Sequence, residues 1–209
     1  MQILFPSEEF AKLKEYLVLY RCALMNMETR VHTLLEDFQN LQTYNPIEHV
    51  KSRLKGSESI AEKLHRRGLE VTAESARVNL TDIAGIRCIC SYARDIHSLA
   101  DVFKRQQDIK IISEKDYVSH PKPSGYRSYH LIIEVPIYLT TKTETLPVEV
   151  QIRTQAMDFW ASLEHKVRYK YNGDMPNPLL QDLIKCANQI AELDERMLLI
   201  QEIADLANH

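Results

Sequence analysis

The sequence predicts an α/β fold in which a mixed β-sheet is flanked by helices and keeps one polar face open to a ligand. Three observations support this class. Apolar residues repeat with heptad spacing over the first forty residues, short strand-like segments fill the middle of the chain, and helical patterns return from Gln155 onward.

The first element is predicted to be one long helix. Its apolar residues are spaced alternately four and three positions apart: Leu13, Leu17, Tyr20, Leu24, Met27, Val31, Leu34, Phe38 and Leu41. This spacing places them in one seam along the helix. The seam is suited both to packing on the rest of the chain and to contact with a second copy.

A second helix is predicted from Asn45-Pro46 to about Arg67. Asparagine is a favourable N-cap, proline is tolerated at the first helical position, and Gly68 would end the helix. Its buried stripe would consist of Ile47, Val50, Leu54, Ala61 and Leu64. Another face would carry Lys55, Ser59, Lys63 and Arg66, either as a solvated surface or as a row of contacts to nucleotide phosphates.

Four short strands are predicted next, at about 84–91, 109–115, 129–135 and 147–153, with a helix near 96–105 between the first two. Helices follow from Gln155 to about Lys170 and, after two prolines, from Leu179 to the end. We therefore predict a single domain over 1–209, with an N-terminal helix at 1–44, a core at 45–170 and a C-terminal helix at 171–209.

The composition excludes several classes of protein. With 209 residues, 44% of them hydrophobic and 26% charged, the chain can bury a core and is not disordered. A net charge of -3 argues against binding nucleic acid through general basicity. The four cysteines lack metal-binding spacing, and the start of the chain lacks a signal-peptide pattern. We expect reduced thiols and a cytoplasmic protein with no membrane partner.

The last predicted strand carries a polar face. Apolar and polar residues alternate from Val148 to Arg153, so a strand points Glu149, Gln151 and Arg153 to the same side. A carboxylate, an amide and a guanidinium are costly to bury unless they meet partners or a ligand. The pattern therefore indicates the floor of a polar site.

Two acids on distant segments could meet at this site. Asp82 precedes the first predicted strand, and Glu149 lies within the last one. Carboxylates without nearby Cys or His ligands suit Mg²⁺, which commonly takes one or two protein carboxylates together with oxygens of a substrate phosphate. Two solvated helix or strand caps are the alternative interpretation.

The segment KPSGYRSYH at 122–130 joins a lysine to a Ser-Gly turn and an aromatic-rich stretch. Such a loop can offer Lys122 and backbone N–H groups to a phosphate, and Tyr126 in the turn could stack on a base. Tyr129 alternates onto the apolar face with Leu131 and is predicted to be packed. The chain contains no GxxxxGK[ST], GxGxxG or GxSxG motif, so P-loop, Rossmann and hydrolase mechanisms lack support.

Four motifs together resemble the synthetase motifs of the RelA/SpoT homologue family. They are DIAGIR at 82–87, KPSGYRSYH at 122–130, EVQIRT at 149–154 and DFWASLEH at 158–165. Because the chain has no His-Asp dipeptide of a metal hydrolase domain, it is similar to the single-domain small alarmone synthetases. The stretches 45–53 and 157–160 are most like the RelP-type branch of that family.

The resemblance implies a nucleotidyltransferase-like sheet and a pyrophosphokinase of the stringent response. Such an enzyme transfers the β,γ-diphosphate of ATP to the ribose 3′-hydroxyl of GDP or GTP, using Mg²⁺ and releasing AMP. Small alarmone synthetases are typically homotetramers. In their product-activated branch a Phe follows the Pro-Ile-Glu run, whereas here Pro46-Ile47-Glu48 is followed by His49. We therefore expect weak activation by product. Because the chain lacks the His-Asp dipeptide of a metal hydrolase domain, we also expect no alarmone hydrolase activity.

The resemblance also implies roles for individual residues. Asp82 and Glu149 match the Mg²⁺ ligands, and Glu149 also matches the base for the 3′-hydroxyl. The ATP-binding positions correspond to Arg53, Lys55, Ser59, Lys63, Arg66, Arg87 and Lys115, with Arg53 and Arg87 flanking adenine. The acceptor-binding positions correspond to Lys122, Ser124, Tyr126, His130, Gln151 and Asp158. Tyr126 matches the ring that stacks on guanine, and Asp158 could accept hydrogen bonds from guanine N1–H and the 2-amino group.

Two other functions fit parts of the pattern. One is transfer of the same diphosphate to the 3′ end of tRNA, a toxin activity of this family, but it would need a basic surface outside the pocket. The net negative charge argues against such a surface. The other is an inactive nucleotide-binding regulator, which the intact Asp82 and Glu149 argue against.

Overall fold

A mixed β-sheet of five strands lies at the centre of the molecule. The structure, a computed structural model, describes residues 3–171 and 175–207. Its elements are α1 (Ser7–Asn40), β1 (Ile47–Leu54), α2 (Ser57–Arg66), α3 (Ala73–Asn79), β2 (Ala84–Cys90), α4 (Ala93–Lys104), β3 (Lys110–Asp116), β4 (Tyr129–Tyr138), β5 (Thr143–Thr154), α5 (Gln155–Lys170) and α6 (Asn177–Ala207). The strand order is β1-β2-β5-β4-β3, with β2 and β5 parallel and the other neighbours antiparallel. The predicted fold class is confirmed.

Helix α1 packs its seam against the apolar face of the sheet. Leu13, Tyr20, Leu24, Met27 and Val31 are buried in one cluster with residues of β2, β4 and β5. Leu41, the last residue of the predicted seam, follows the helix end and is 78% exposed. Most of the seam is therefore used within the chain itself.

The second predicted helix is wrong over its first half. Ile47–Leu54 form strand β1, which pairs antiparallel with β2, and only Ser57–Arg66 form helix α2. Asn45 Oδ1 accepts a hydrogen bond from the Ile47 backbone N–H at 3.0 Å. An asparagine side chain can bond the backbone two residues on in turns as well as at helix starts, so the same residue is compatible with both. Here the turn leads into a strand. Lys55 consequently lies in the loop before α2 and not on its face.

Helix α3 is not predicted from the sequence pattern, because seven residues are too few to show a helical period. Its N-cap is Thr72, whose Oγ1 accepts a hydrogen bond from the Ser75 N–H at 3.1 Å. The later helices and strands are confirmed to within a few residues, except that β4 and β5 extend into a hairpin where Tyr138 pairs with Thr143. Part of the predicted break before the C-terminal helix, at 172–174, lies outside the described residues.

The two faces of the sheet differ in chemistry. Leu131, Ile133, Val148, Val150 and Ile152 are fully buried on the face that contacts α1 and α4. Tyr129 is 3% exposed on the same face, as predicted. The opposite face carries the polar residues of β2, β4 and β5, so the ligand site expected from the sequence has a surface on which to form.

The four cysteines all lie within the described residues and form no disulfide with one another. Cys88 and Cys90 are buried on the apolar face of β2, where burial raises the pKa of the Cys88 thiol to about 12. These two thiols are packed and protonated. Within the described ranges, none of the helices combines the length and apolar character needed to cross a membrane.

Candidate active site

Strand register brings polar side chains of three strands into one site. Parallel pairing sets Gly85 beside Glu149 and Arg87 beside Gln151. Antiparallel pairing with β4 sets His130 on the other side of Gln151. The alternation predicted for β5 is confirmed, because Glu149 and Gln151 face away from the buried side of the sheet.

A directed chain of hydrogen bonds leads to Glu149. Arg153 Nη2 donates to Tyr126 Oη at 2.5 Å, so the phenolic proton is left for His130 Nε2, 2.9 Å away. His130 Nδ1 then donates to Glu149 Oε1 at 3.1 Å, and Gln151 Nε2 donates to Glu149 Oε2 at 2.8 Å. Burial raises the pKa of Glu149, but its interactions with His130 outweigh burial and the pKa is lowered. Glu149 is therefore a carboxylate near neutral pH.

Asp82 lies between two lysines just before β2. Lys55 Nζ and Lys63 Nζ each donate to Asp82 Oδ2 at 2.5 Å. Burial raises the pKa of Asp82, but the two lysines outweigh burial and bring the pKa down to about 2. Asp82 Oδ1 is buried and makes no hydrogen bond to any residue that the structure describes. An ionised oxygen is costly to bury in this way, so Oδ1 is suited to a further ligand.

Asp82 and Glu149 line the same cavity, of about 430 Å³. The two carboxylates that the sequence places on distant segments are thus brought together, as predicted. Four cationic side chains line this cavity as well: Lys63, Arg67, Lys115 and Lys122. A cavity with two acids and four cations suits a polyphosphate, whose charge the cations can neutralise.

The two carboxylates have the chemistry of a Mg²⁺ site. In the described part of the chain, no group of three or more His, Cys, Asp or Glu side chains could hold a metal ion. Magnesium does not need such a group, since it commonly takes one or two protein carboxylates and keeps waters or phosphate oxygens as its other ligands. The unpartnered Asp82 Oδ1 and the nearby Glu149 fit this requirement.

Two further cavities, of about 220 and 400 Å³, lie along the polar residues of β2 and β5, and Glu149 lines the smaller one. Arg53, Arg87 and Gln151 line both of them. The two arginines predicted to flank adenine therefore border the same space. Guanidinium groups stack well on aromatic rings, so the arrangement suits a purine base.

Asp158 is held by cations in the first turn of α5. Its Oδ1 accepts hydrogen bonds from Arg87 Nη1 at 2.8 Å and Arg153 Nη1 at 3.3 Å, and its Oδ2 accepts one from Lys51 Nζ at 3.4 Å. The residue is 7% exposed. Asp158 thus links the recess of the two arginines to the hydrogen-bond chain that contains Tyr126.

Tyr126 lies in the turn before β4 and is half-buried against a small cluster formed by Trp160, Ala161 and Ala187. Lys122 Nζ lies 4.7 Å from the centroid of the Tyr126 ring. Because Lys122 is exposed and has a flexible stem, an incoming base can replace it on the ring. The structure therefore gives Tyr126 both a packed side and a side suited to stacking.

Three predicted site residues lie apart from these cavities. Ser59 and Arg66 are exposed on α2, and Ser124 is half-buried in the turn before Tyr126. None of the three lines the cavities described above. Their roles stay predictions.

Sequence reasoning missed three residues of the site. Arg67 lines the carboxylate cavity, whereas Arg66, the residue predicted from the sequence, does not. Tyr117 lies there with its ring centroid 5.4 Å from that of His130, and no sequence signal marked it. Arg153 was placed on the polar face but given no role, although it is 4% exposed and donates to Tyr126, Gln151, Ser128 and Asp158.

The fold and the site together define a nucleotide-binding transferase: a mixed sheet whose open face combines paired carboxylates, cations for phosphates and flat groups for bases. Residues 52–174 match the family described as a region found in RelA / SpoT proteins. The chain belongs to this RelA/SpoT family.

Relatives and solved structures agree with this assignment. The chain is 46% identical over 192 residues to the GTP pyrophosphokinase YwaC of Bacillus subtilis (strain 168), covering 92% of this chain and 91% of the relative. It superimposes with a TM-score of 0.82 on the small alarmone synthetase 2 from Bacillus subtilis, at 46% identity, covering 90% and 97% of the two chains. The small alarmone synthetase 1 from Bacillus subtilis, bound to its product pppGpp, gives a TM-score of 0.85 at 32% identity, covering 90% and 96%.

Proposed function

We propose that the protein is a small, synthetase-only GTP pyrophosphokinase that makes (p)ppGpp. It transfers the β,γ-diphosphate of ATP to the ribose 3′-hydroxyl of GDP or GTP and releases AMP. The observation that carries this proposal is the cavity shared by Asp82, Glu149 and four cations, next to a recess bordered by Arg53 and Arg87. Family membership supports the same conclusion.

Glu149 is suited to accept the proton of the 3′-hydroxyl. Its neighbours His130 and Gln151 donate hydrogen bonds to both carboxylate oxygens and hold them in place. The chain from Arg153 through Tyr126 fixes the tautomer of His130, so that His130 donates to Glu149. A positioned, ionised carboxylate is what general base catalysis requires.

The remaining chemistry is neutralisation and positioning, which dominate phosphoryl-type transfer. The cations Lys63, Arg67, Lys115 and Lys122 neutralise the diphosphate and the phosphates of the acceptor. Bound Mg²⁺, held by Asp82 and Glu149, would add charge neutralisation at the transferred group. Arg53 and Arg87 hold adenine, with Lys55, Ser59 and Arg66 near the donor.

The acceptor nucleotide is placed on the other side of Glu149. Tyr126 stacks on guanine once Lys122 leaves its ring, and Asp158 accepts hydrogen bonds from the guanine edge. Lys122, Ser124, His130 and Gln151 surround the sugar and phosphates. Because Asp158 is also bonded to Arg87, donor and acceptor bases are positioned by connected side chains.

We further propose that the protein is a single domain that assembles as a cytoplasmic homotetramer. Exposed apolar residues of α6 support assembly: Leu193, Met197, Ile200 and Ile203 are each about half exposed, at 55%, 47%, 58% and 58%. Such a stripe at helical spacing is typical of a subunit contact. Free cysteines are compatible with a reducing compartment.

One assay tests the activity. The pure protein is incubated with ATP labelled in the β,γ-diphosphate, Mg²⁺ and either GDP, GTP or tRNA, and the labelled acceptor is identified. We expect label in ppGpp or pppGpp and none in tRNA. Label in tRNA alone would identify the alternative transfer reaction, and absence of label from every acceptor, with nucleotides still bound, would identify a regulator.

A further inference from the structure

The C-terminal helix α6 packs against the junction of β5 and α5, which carries residues of the site. Asp194 of α6 is 8% exposed, and its Oδ2 accepts a hydrogen bond from Thr154 Oγ1 at 2.5 Å. Thr154, fully buried at the end of β5, accepts in turn from the Met157 backbone N–H at 3.1 Å. Asp194 therefore fixes the hydroxyl that caps the start of α5.

The junction that Thr154 holds lies between two site residues. Arg153 precedes it on β5, and Asp158 follows it in the first turn of α5. The two meet through a hydrogen bond of 3.3 Å. A shift of the junction changes the positions of both groups relative to the acceptor base.

A second contact supports the loop that carries Tyr126. Gly125 has a φ of +86°, and a Cβ at this residue would lie 2.4 Å from the Ala187 Cβ of α6. The loop is thus in direct contact with the helix. Trp160 Nε1 donates to the Leu183 backbone oxygen at 3.0 Å, which ties α5 to the same part of α6.

The donor side of the site is held differently. Asp82, just before β2, accepts hydrogen bonds from Lys55 in the loop before α2 and from Lys63 on α2. The two contacts of α6 instead meet the residues around the acceptor base. Through Asp194 and Ala187, α6 therefore acts on groups assigned to the acceptor base, and it reaches the donor base only at one remove, through the hydrogen bond of 2.8 Å from Arg87 to Asp158.

We propose that α6 is a positioning element for the acceptor-base subsite: Asp194 acts through Thr154 on Arg153 and Asp158, and Ala187 acts through Gly125 on Tyr126. This inference rests on the proposed function, since it concerns how the same site selects guanine. Asp194 and Ala187 touch neither substrate. They set the positions of the groups that do.

The first experiment compares the KM values of the two substrates in Asp194→Ala. We expect the KM for GTP to rise on the order of tenfold, with the KM for ATP changed less than about twofold, because misplacement of binding groups by a fraction of an ångström is costly. Asp194→Asn should restore the wild-type KM, since its amide oxygen can accept the same hydrogen bond from Thr154. The matched control is Asp182→Ala, which removes an exposed carboxylate from the same helix.

The second experiment measures base selectivity. Inosine triphosphate lacks the 2-amino group of guanine, so the wild type should prefer GTP over it. In Asp194→Ala and in Ala187→Val, which enlarges the side chain against Gly125, this preference should fall severalfold. A purely structural role would lower the amount of folded enzyme and leave the ratio unchanged.

Failure of this inference about α6 can be distinguished from failure of the proposed function. If the wild type transfers no diphosphate to either GDP or GTP, the proposed function itself fails. If the wild type is active but the variants raise both KM values equally, or leave the GTP-to-inosine preference intact, α6 is not a positioning element. Should Asp194→Ala fail to fold, Thr154→Val removes the same hydrogen bond at nearly constant shape, and the same two ratios decide.

Discussion

At the scale of single residues, Glu149 shows how neighbours set the state of a functional group. A carboxylate that is 12% exposed would ordinarily tend to protonate, yet His130 and Gln151 keep its pKa low. The direction of the hydrogen bonds follows from Arg153, which can only donate. One buried guanidinium thus determines which atom of His130 carries the proton.

Replacing Glu149 by Gln should abolish synthesis and leave nucleotide binding largely intact. The change keeps the shape but removes the charge that holds Mg²⁺ and accepts the proton, so we expect kcat to fall by about 10²-fold or more. Asp82→Asn should fail in the same way. Initial rates and equilibrium binding of ATP and GDP check this, with Glu134→Gln on β4 as the control acid. Retention of most activity by Glu149→Gln would contradict the role of the polar face.

Replacing Tyr126 by Ala should weaken use of GDP or GTP much more than use of ATP. The acceptor base loses its stack, worth roughly 1–3 kcal/mol per base. From the sequence alone, Phe at this position is predicted to be nearly neutral. The structure revises that expectation: Phe keeps the ring but loses the hydrogen bonds to Arg153 and His130, so kcat should fall while the acceptor KM stays near wild type.

Steady-state kinetics with each substrate varied in turn separate the two Tyr126 variants. Equal increases of both KM values in Tyr126→Ala would show that the ring only packs against Trp160. A wild-type kcat in Tyr126→Phe would show that the hydrogen bond between Tyr126 and His130 does not affect the action of Glu149 as the general base.

At the scale of elements, the turn before β4 depends on a glycine for two reasons. Gly125 has a positive φ, which costs an L-residue about 1 kcal/mol, and it lies against Ala187. We expect Gly125→Ala to destabilise the fold by several kcal/mol, because a Cβ 2.4 Å from another carbon forces the loop or α6 to move.

Two other glycines serve as controls for Gly125. Gly68 has a φ of +68°, and among the described residues beyond its chain neighbours no atom would lie within 4 Å of an added Cβ. Gly68→Ala should therefore show the backbone strain alone. Gly56 has a φ of −68° and no such neighbour, but it is the N-cap of α2, where alanine is less favourable than glycine, so Gly56→Ala should cost about 1 kcal/mol or less. Chemical denaturation of the three variants gives the comparison, and equal effects at Gly125 and Gly68 would exclude the contact with Ala187.

At the scale of the whole molecule, the apolar stripe of α6 leads to a prediction about assembly. We expect a homotetramer by light scattering. Ile200→Glu should weaken assembly, because a charge replaces an apolar side chain in the proposed contact. The control is Val78→Glu on α3, an apolar residue outside α6 that is 69% exposed, against 58% for Ile200. A monomeric wild type would refute the prediction.

The assembled enzyme should respond weakly to its own product. His49 on β1 is exposed and stands where the product-activated relatives are expected to have Phe. Imidazole is a smaller stacking surface than a phenyl ring. Added ppGpp should therefore change the initial rate less than about twofold, and His49→Phe should increase the response. Severalfold activation of the wild type would contradict this.

The sequence by itself determined the fold class, most helices and strands, and the polar face of β5. These features depend on periodicity, which local residue types carry. The motifs also determined the family, since DIAGIR, KPSGYRSYH and EVQIRT occur in order. The meeting of Asp82 and Glu149 at one site could be anticipated, because Asp82 precedes one predicted strand and Glu149 lies within another.

Only the tertiary structure decided the rest. Asn45-Pro46 is a helix-start signal, yet the residues that follow it, Ile47–Leu54, form a strand because they pair with β2. Backbone bonds to a neighbouring strand depend on contacts far along the chain. The role of Arg153 and the contact of Asp194 with Thr154, forty residues away, arise in the same way. A local pattern specifies which face a side chain takes, whereas its partners across the sheet are specified by how the elements pack.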